Sequence, residues 1–200
     1  MSKMTAVSLV LLGAVLLAGC GSSSSSGSKQ TATTAGVNPN VPESLPPGDI
    51  PDTVAYVAYA VPGAGYTLST PEGWSRSSAG GVVVFTDKLN RAEITSVPSA
   101  APVTVSSVQK TVVPRLARAV KGFRLQSVGT VTRVSGPAVR TAYLAYSPPD
   151  PVTNKFGVLA VERYDFLHKG RDLILTLSAP NGSDNVDPWR KITDSLKFTR

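Results

Sequence analysis

The sequence of 200 residues contains a single cysteine and a single histidine, which limits its chemistry from the outset. One cysteine cannot form an internal disulfide. One histidine, His168, leaves little for metal ligation or for acid–base catalysis near neutral pH. The glycine-rich loops that bind nucleotides and the H-E-x-x-H and G-x-S-x-G motifs of common hydrolases are also missing. We therefore expect no catalytic residues, no metal site and no cofactor.

The N-terminal apolar segment is too short to cross a membrane. It covers residues 7–17, whereas a membrane-spanning helix needs about 20 residues. Behind the positive charge of Lys3, this segment is typical of a secretory signal peptide. It continues into Leu17-Ala18-Gly19-Cys20, which resembles the lipobox of bacterial lipoproteins. The resemblance implies that a peptidase cuts before Cys20 and that the sulfur of Cys20 carries a diacylglycerol.

A diacylglycerol would hold the protein on the outer face of the cell membrane, because two acyl chains anchor a protein stably where one does not. The alternative is a plain signal peptide with an unrelated cysteine. The net charge of +7 favours anionic partners in general, such as anionic lipids or wall polymers. Export argues against nucleic acid as the natural partner. The partners we expect are the membrane, through Cys20, and an envelope protein or a lipid or glycolipid ligand.

Composition divides the chain into three parts. Residues 1–19 form the signal peptide, residues 20–53 a tether and residues 54–200 a folded domain. The tether is first rich in serine and glycine, and then contains five prolines between Asn38 and Asp52. Such segments are flexible or extended and bury too little apolar surface to fold alone.

Hydrophobic periodicity predicts mostly strands in the domain. Two strand-like runs begin near Tyr56, and residues 80–98 indicate a hairpin. Four more strands are predicted over residues 123–134, 139–146, 156–167 and 171–179, the last two joined by a turn at Lys169-Gly170.

Two helices complete the prediction. Residues 102–122 repeat apolar side chains at helical spacing, with Ser106 and Gln109 as a capping box and a kink expected at Pro114. The second helix begins with Asp187 as N-cap and Pro188 at its first helical position. Clustered strands with short connections predict an α+β fold, an antiparallel sheet with helices packed on it.

Three features together resemble the LpqN/LpqT-type lipoproteins of actinobacteria. They are the opening segment GYTLSTPEGW, the helix between a hairpin and long strands, and the closing segment DPWRKITDSLKF. That family shares its fold with the extrinsic P subunit of photosystem II and the Ran-binding protein Mog. Over residues 66–198 the resemblance implies an α/β/α sandwich and a non-enzymatic binding or assembly module of the cell envelope.

Two pairs of carboxylates and the single histidine are candidate site residues. Glu162 and Asp165 share a strand but face opposite sides of it, which does not suit a carboxylate-based hydrolase. Asp184 and Asp187 lie in NGSDNVD, which lacks the spacing of a calcium loop and is more typical of a loop and a helix cap. His168 is expected in a solvated turn.

Basic and aromatic residues offer two further candidate surfaces. On the predicted first helix, basic residues lie largely away from the apolar side chains that repeat at helical spacing; they are Lys110, Arg115, Arg118 and Lys121. These residues either form a solvated face or contact anionic headgroups or wall polymer. Aromatic residues that either belong to the core or line a sugar or lipid pocket are Trp74, Tyr143, Tyr146 and Tyr164.

The sequence thus favours an envelope lipoprotein that acts as a non-enzymatic binding or adaptor module. A carrier of a hydrophobic or glycolipid ligand is the first alternative, and a hydrolase of wall polymer the second.

Overall fold

The computed structural model describes residues 46–61 and 64–199. The predicted signal peptide, Cys20 and the first part of the predicted tether lie outside these residues. The described chain contains ten strands in two antiparallel sheets. The strands are β1 (Tyr56–Ala60), β2 (Tyr66–Pro71), β3 (Ser75–Ala79), β4 (Val82–Asp87), β5 (Asn90–Pro98), β6 (Arg124–Arg133), β7 (Gly136–Tyr146), β8 (Val158–His168), β9 (Arg171–Pro180) and β10 (Lys197–Phe198).

Seven of these strands form the large sheet, in the order β3-β4-β5-β9-β8-β7-β6. The four long strands predicted from the sequence are β6 to β9, and each neighbouring pair is antiparallel. The predicted turn at Lys169-Gly170 joins β8 to β9, with φ of 48° and 71° at its two residues. Two consecutive positive φ values match the two-residue hairpin turn whose twist suits antiparallel strands. The small sheet has the order β1-β2-β10.

The main hydrophobic core lies between the large sheet, β2 and the closing helix α3 (Val186–Ser195). Leu173, Leu175 and Leu177 alternate along β9 and are all buried, as their spacing predicts. Ile192 of α3 and its C-cap residue Leu196 reach the same core and are inaccessible to solvent. These two residues bury the apolar side of the closing helix.

The opposite face of the large sheet carries a smaller apolar cluster built on Tyr143 and Val161. It packs against the predicted first helix, which is interrupted: α1 (Val105–Ser107), a π-helical turn (Val108–Val112) and α2 (Val113–Ala119). Pro114 stands at the start of α2. Because proline has no N–H to donate, it is tolerated in a first helical turn, and the π-helical turn before it provides the break that its ring requires.

Both predicted helix caps were wrong by a few residues. The first helix begins at Thr104, whose hydroxyl accepts from Ser107 N at 3.1 Å, while Ser107 Oγ accepts from Thr104 N at 2.9 Å. The predicted pair Ser106 and Gln109 does not make these contacts. The closing helix has Asn185 as N-cap instead of Asp187, so its first helical residue is Val186 and not Pro188; Asp187 and Pro188 both lie in its first turn. The side chain of Asn185 does not cap the helix, because it is used elsewhere.

The last residues assigned to the tether are packed on the domain. We call residues 46–51 the strap. Ile50 is buried in the main core, its N–H donates to Asn185 Oδ1 at 2.8 Å, and Asn185 Nδ2 donates to the carbonyl of Gly48 at 2.8 Å. Residues 46–51 are therefore packed against the large sheet and the start of the closing helix. The proline-rich composition of this segment does not indicate that Ile50 is buried. The backbone N–H of Ile50 bonds to a residue 135 positions later in the sequence.

Within the described residues, no helix is long and apolar enough to cross a membrane.

For two fully buried threonines, Thr141 and Thr193, we predict that the same substitution changes the free energy of unfolding in opposite directions. Thr141 Oγ1 has no hydrogen-bond partner among the described residues, whereas Thr193 Oγ1 donates to the carbonyl of Arg190 at 3.1 Å. Thr141→Val keeps the branched shape and removes the unpaired hydroxyl, so we expect it to raise the free energy of unfolding by about 1 kcal/mol. Thr193→Val should lower it by about 1 kcal/mol because a hydrogen bond is lost. Urea denaturation measures both, and two changes of the same sign would contradict the assignment.

Candidate functional site

A cavity of about 530 Å³ opens between the end of the large sheet and the start of α3. Its floor comes from residues that share one face of β6 to β9, because side chains two apart on a strand point the same way. Its wall comes from the loop before α3 and from the first turns of α3. Apolar and charged side chains both line it; among them are Val131, Arg133, Arg140, Ala160, Glu162, Tyr164, Trp189 and Arg190.

The polar lining forms a connected chain of hydrogen bonds centred on Glu162. Glu162 Oε1 accepts from Arg140 Nη2, and Glu162 Oε2 accepts from the Tyr164 hydroxyl. Tyr164 Oη in turn accepts from Arg133 Nη2 at 3.2 Å. Register explains the meeting, since Arg140 of β7 lies directly opposite Tyr164 of β8. Both oxygens of the only lining carboxylate are therefore occupied.

The pKa values of this chain follow from burial and from the ion pair. Burial first, and then the hydrogen bond and charge of Glu162, raise the pKa of Tyr164 to about 12. The hydrogen bond to Glu162 raises the pKa of Arg140 above its ordinary value. Tyr164 is therefore neutral and Arg140 charged at every physiological pH. This arrangement holds the side chains of Arg140 and Tyr164 in place on Glu162.

A second cavity, of about 650 Å³, lies beside β1 and β2 and has fewer charged side chains in its lining. Its lining includes one charged residue, Arg171, whose guanidinium already donates to Ser96 Oγ and to the Ser96 carbonyl, both at 2.8 Å. We therefore take the cavity around Glu162 as the candidate functional site.

The carboxylates predicted to face apart do so. Glu162 lines the cavity, while Asp165 is buried on the opposite face, where Arg163 Nε donates to its two oxygens at 3.0 and 3.1 Å. The NGSDNVD loop is tied to the strap, with Asp184 N donating to Asp49 Oδ1 at 3.0 Å. No group of three or more histidine, cysteine, aspartate or glutamate side chains that could hold a metal occurs in residues 46–61 and 64–199.

The aromatic candidates do not converge on one pocket. Tyr143 and Tyr164 are buried on opposite faces of the large sheet, and Trp74 packs at the edge of the main core. Tyr146 is half exposed, beside the ring of Phe156 at 6.2 Å.

His168 and the basic helix residues also lie away from the cavity lining. The His168 ring is half-buried at a strand end and stacks on Phe198 at 3.9 Å, so the expected solvated turn was wrong. The basic residues of the interrupted helix are exposed; they are Lys110, Arg115, Arg118 and Lys121.

Sequence reasoning missed the arginines of the cavity. Arg133 and Arg140 lie at inward positions of strands that are otherwise small or apolar, and Arg190 lies in the first turns of α3. A charged residue at an inward strand position was the available signal. Recognising the site required knowing which strands are neighbours, and local patterns do not contain that information.

The architecture and its long antiparallel strands define a PsbP/Mog-like α+β fold. The cyanobacterial PsbP protein (CyanoP) of Synechocystis sp. PCC 6803 superposes with a TM-score of 0.51 at 13% identity, covering 76% of this chain and 98% of that one. At this identity the similarity shows the fold alone.

Other solved structures are similar at lower scores. The Ran-binding protein Mog1p of Saccharomyces cerevisiae has a TM-score of 0.49 at 8% identity, covering 73% of this chain and 96% of its own. LpqN of Mycobacterium tuberculosis, described as involved in cell envelope biogenesis, has a TM-score of 0.43 at 14% identity, covering 74% and 93%. The chain spans about half, 48%, of the length of a similar protein from Bacteroides thetaiotaomicron. No family model and no curated protein matches the sequence.

Proposed function

We propose that this protein is a cell-envelope lipoprotein, anchored through Cys20, whose domain is a non-enzymatic binding module of the LpqN/LpqT type. The observation that carries the binding role is the cavity beside α3, where side chains from four elements meet around Glu162. Every oxygen of that carboxylate is engaged by Arg140 or Tyr164. Glu162 therefore holds the Arg140 guanidinium in a fixed orientation at the cavity, which suits binding and orientation of a ligand.

The hydrolase alternative receives less support from the carboxylates. The one carboxyl whose pKa is raised into the physiological range is Asp172, among those of the described residues for which a shift is resolved. Asp172 lies on the other face of the large sheet from the cavity, next to Asp165, which is almost wholly buried. A polymer in the cavity would not reach either group.

The carrier alternative depends on the polarity of the cavity. Arginine, glutamate and tyrosine contribute much of its lining, which favours a charged ligand over a purely hydrophobic one. A protein partner has a separate candidate surface in Tyr146 and Phe156, two neighbouring half-exposed aromatic rings. Exposed aromatic residues are enriched at protein interfaces.

Fractionation of cells that express the full chain tests the anchor. In a bacterial host with lipoprotein processing, we expect the protein in the membrane fraction and Cys20→Ser in the medium or unprocessed, because two acyl chains supply the membrane affinity. Ser23→Ala is the matched control and should stay with the membrane. Equal membrane retention and processing of Cys20→Ser would overturn the lipoprotein assignment.

A further inference from the structure

We propose that the cavity beside α3 binds the phosphate group of a phosphorylated ligand. This inference rests on the proposed binding function, because it names the ligand class of the same cavity. The charge of the lining is the first argument. Three guanidinium groups, from Arg133, Arg140 and Arg190, stand against two carboxylates, so the cluster keeps an excess of one positive charge. The carboxylates are Glu162 in the lining and Asp194 beside it. A cavity with this excess attracts an anion.

The donors of the cavity are not exhausted by protein contacts. The Arg133 side chain is 16% exposed. Its Nε is buried and has no hydrogen-bond acceptor among the described residues. The nearest carboxylate oxygen to it is Asp194 Oδ1, at 4.0 Å, and Arg190 Nε lies 3.8 Å from Asp194 Oδ2. Both distances exceed that of a hydrogen bond. A buried guanidinium N–H without an acceptor is costly, and a ligand oxygen would satisfy it.

Held donors distinguish this cluster from loose surface arginines. Arg133 is fixed by its hydrogen bond to the Tyr164 hydroxyl and by its position 5.3 Å from the centre of the Tyr164 ring. Arg140 is fixed by Glu162. Guanidinium groups that are oriented before binding lose less entropy when they engage an oxyanion.

The number of guanidinium groups favours phosphate over carboxylate. A carboxylate presents two oxygens in one plane, which a single guanidinium can occupy. A phosphate monoester presents three oxygens and up to two negative charges, and it can contact donors from several sides. The remaining wall, with Val131, Ala160 and Trp189, provides apolar contact for the organic part of the ligand.

Titration calorimetry on the full chain, purified in a non-ionic detergent, tests this assignment. The probes are phenyl phosphate, inorganic phosphate and benzoate, with vesicles of phosphatidylcholine containing phosphatidic acid, a phosphate monoester, as the lipid arm. We expect saturable binding of phenyl phosphate, with benzoate at least about 10-fold weaker because it engages fewer charge-assisted hydrogen bonds. Equal binding of inorganic phosphate would assign a free phosphate, and vesicle binding lost in the arginine variants would assign a lipid headgroup.

The variants separate the cavity from general surface charge. Arg190→Gln removes one rim charge and Arg133→Lys keeps the charge but loses the planar fork, and we expect each to weaken binding of phenyl phosphate about 10-fold. Arg118→Gln removes one exposed arginine outside the cavity and should change the affinity less than twofold. Circular dichroism spectra confirm that each variant is folded.

The inference is overturned if phenyl phosphate does not bind, if Arg118→Gln weakens binding as much as Arg190→Gln, or if benzoate binds more tightly. Those outcomes leave membrane fractionation of Cys20→Ser unaffected, so failure of the phosphate site and failure of the lipoprotein anchor are distinguishable.

Discussion

Asn185→Ala is expected to lower the free energy of unfolding by about 2–4 kcal/mol, because it breaks two buried hydrogen bonds to the strap and leaves the Ile50 N–H unpaired. Asn185 is only 3% exposed. Its side chain accepts from Ile50 N and donates to the carbonyl of Gly48, both at 2.8 Å. The same Nδ2 lies 3.4 Å from Oδ1 of Asn90, at the start of β5. One amide thus connects the strap, the closing helix and the hairpin of β4 and β5.

Urea denaturation of the full chain, followed by circular dichroism, measures this change. Asn181→Ala is the matched control, because Asn181 is an exposed asparagine of the same loop and should change the free energy of unfolding by less than about 0.5 kcal/mol. Similar losses in the two variants would show that the strap contributes little.

Gly48→Ala tests the packing of the strap while the Asn185 side chain stays unchanged. Gly48 has a φ of +95°, and a Cβ at this position would lie 2.4 Å from Pro180 Cδ. Backbone strain and a clash against a ring that cannot yield should both detach the strap, so we expect a loss of about 1–3 kcal/mol. A fully stable Gly48→Ala would contradict the close packing of the strap on β9.

Local sequence patterns predicted the strands but not the strap. Local alternation was enough to place β8 and β9, because the buried leucines of β9 repeat every second residue and Lys169-Gly170 provides their turn. Composition was not enough for the strap. Its prolines indicate an extended linker, but the partner that orders it, Asn185, is separated from Ile50 by 135 positions in the sequence.

Other omissions have the same cause. Strand β3 is exposed along its whole length and reads SRSSA, so it shows no apolar alternation from which to predict an edge strand. The candidate site depends on β6, β7 and β8 being adjacent, which brings Arg133, Arg140 and Glu162 together. Each residue alone is an ordinary charged side chain within a strand. Only the order of the strands in the sheet makes them one cavity.

Asp172→Asn is expected to flatten the pH dependence of stability between about pH 4 and pH 8. Asp172 lies on β9, on the face of the sheet opposite the cavity, and its Oδ1 is buried without a donor among the described residues. Burial, and then the charge of Asp165, raise the pKa of Asp172 from 3.8 to about 7. Arg163 Nε donates to the carboxylate of Asp165 at 3.0 and 3.1 Å.

The sign follows from which state holds the proton. Between pH 3.8 and about 7 the folded protein keeps a proton on Asp172 that the unfolded chain has released. The free energy of unfolding therefore falls as the pH rises through this window and stays lower above it. Asparagine does not titrate, so this pH-dependent contribution is absent from the variant. At pH 8 we expect Asp172→Asn to be more stable than the unchanged protein by about 1–2 kcal/mol, a value reduced for the part of the side chain in solvent.

Urea midpoints at pH 4.5, 6 and 8 for the two proteins measure this difference, which should grow with pH. Asp184→Asn removes an exposed carboxylate from the loop before α3 and controls for the loss of one negative charge. Parallel pH profiles for Asp172→Asn and the unchanged protein would show that Asp172 is ionised in the folded state. A widening difference would instead identify a protonated carboxyl that stabilises the sheet on the face remote from the cavity, and would leave phosphate binding unchanged.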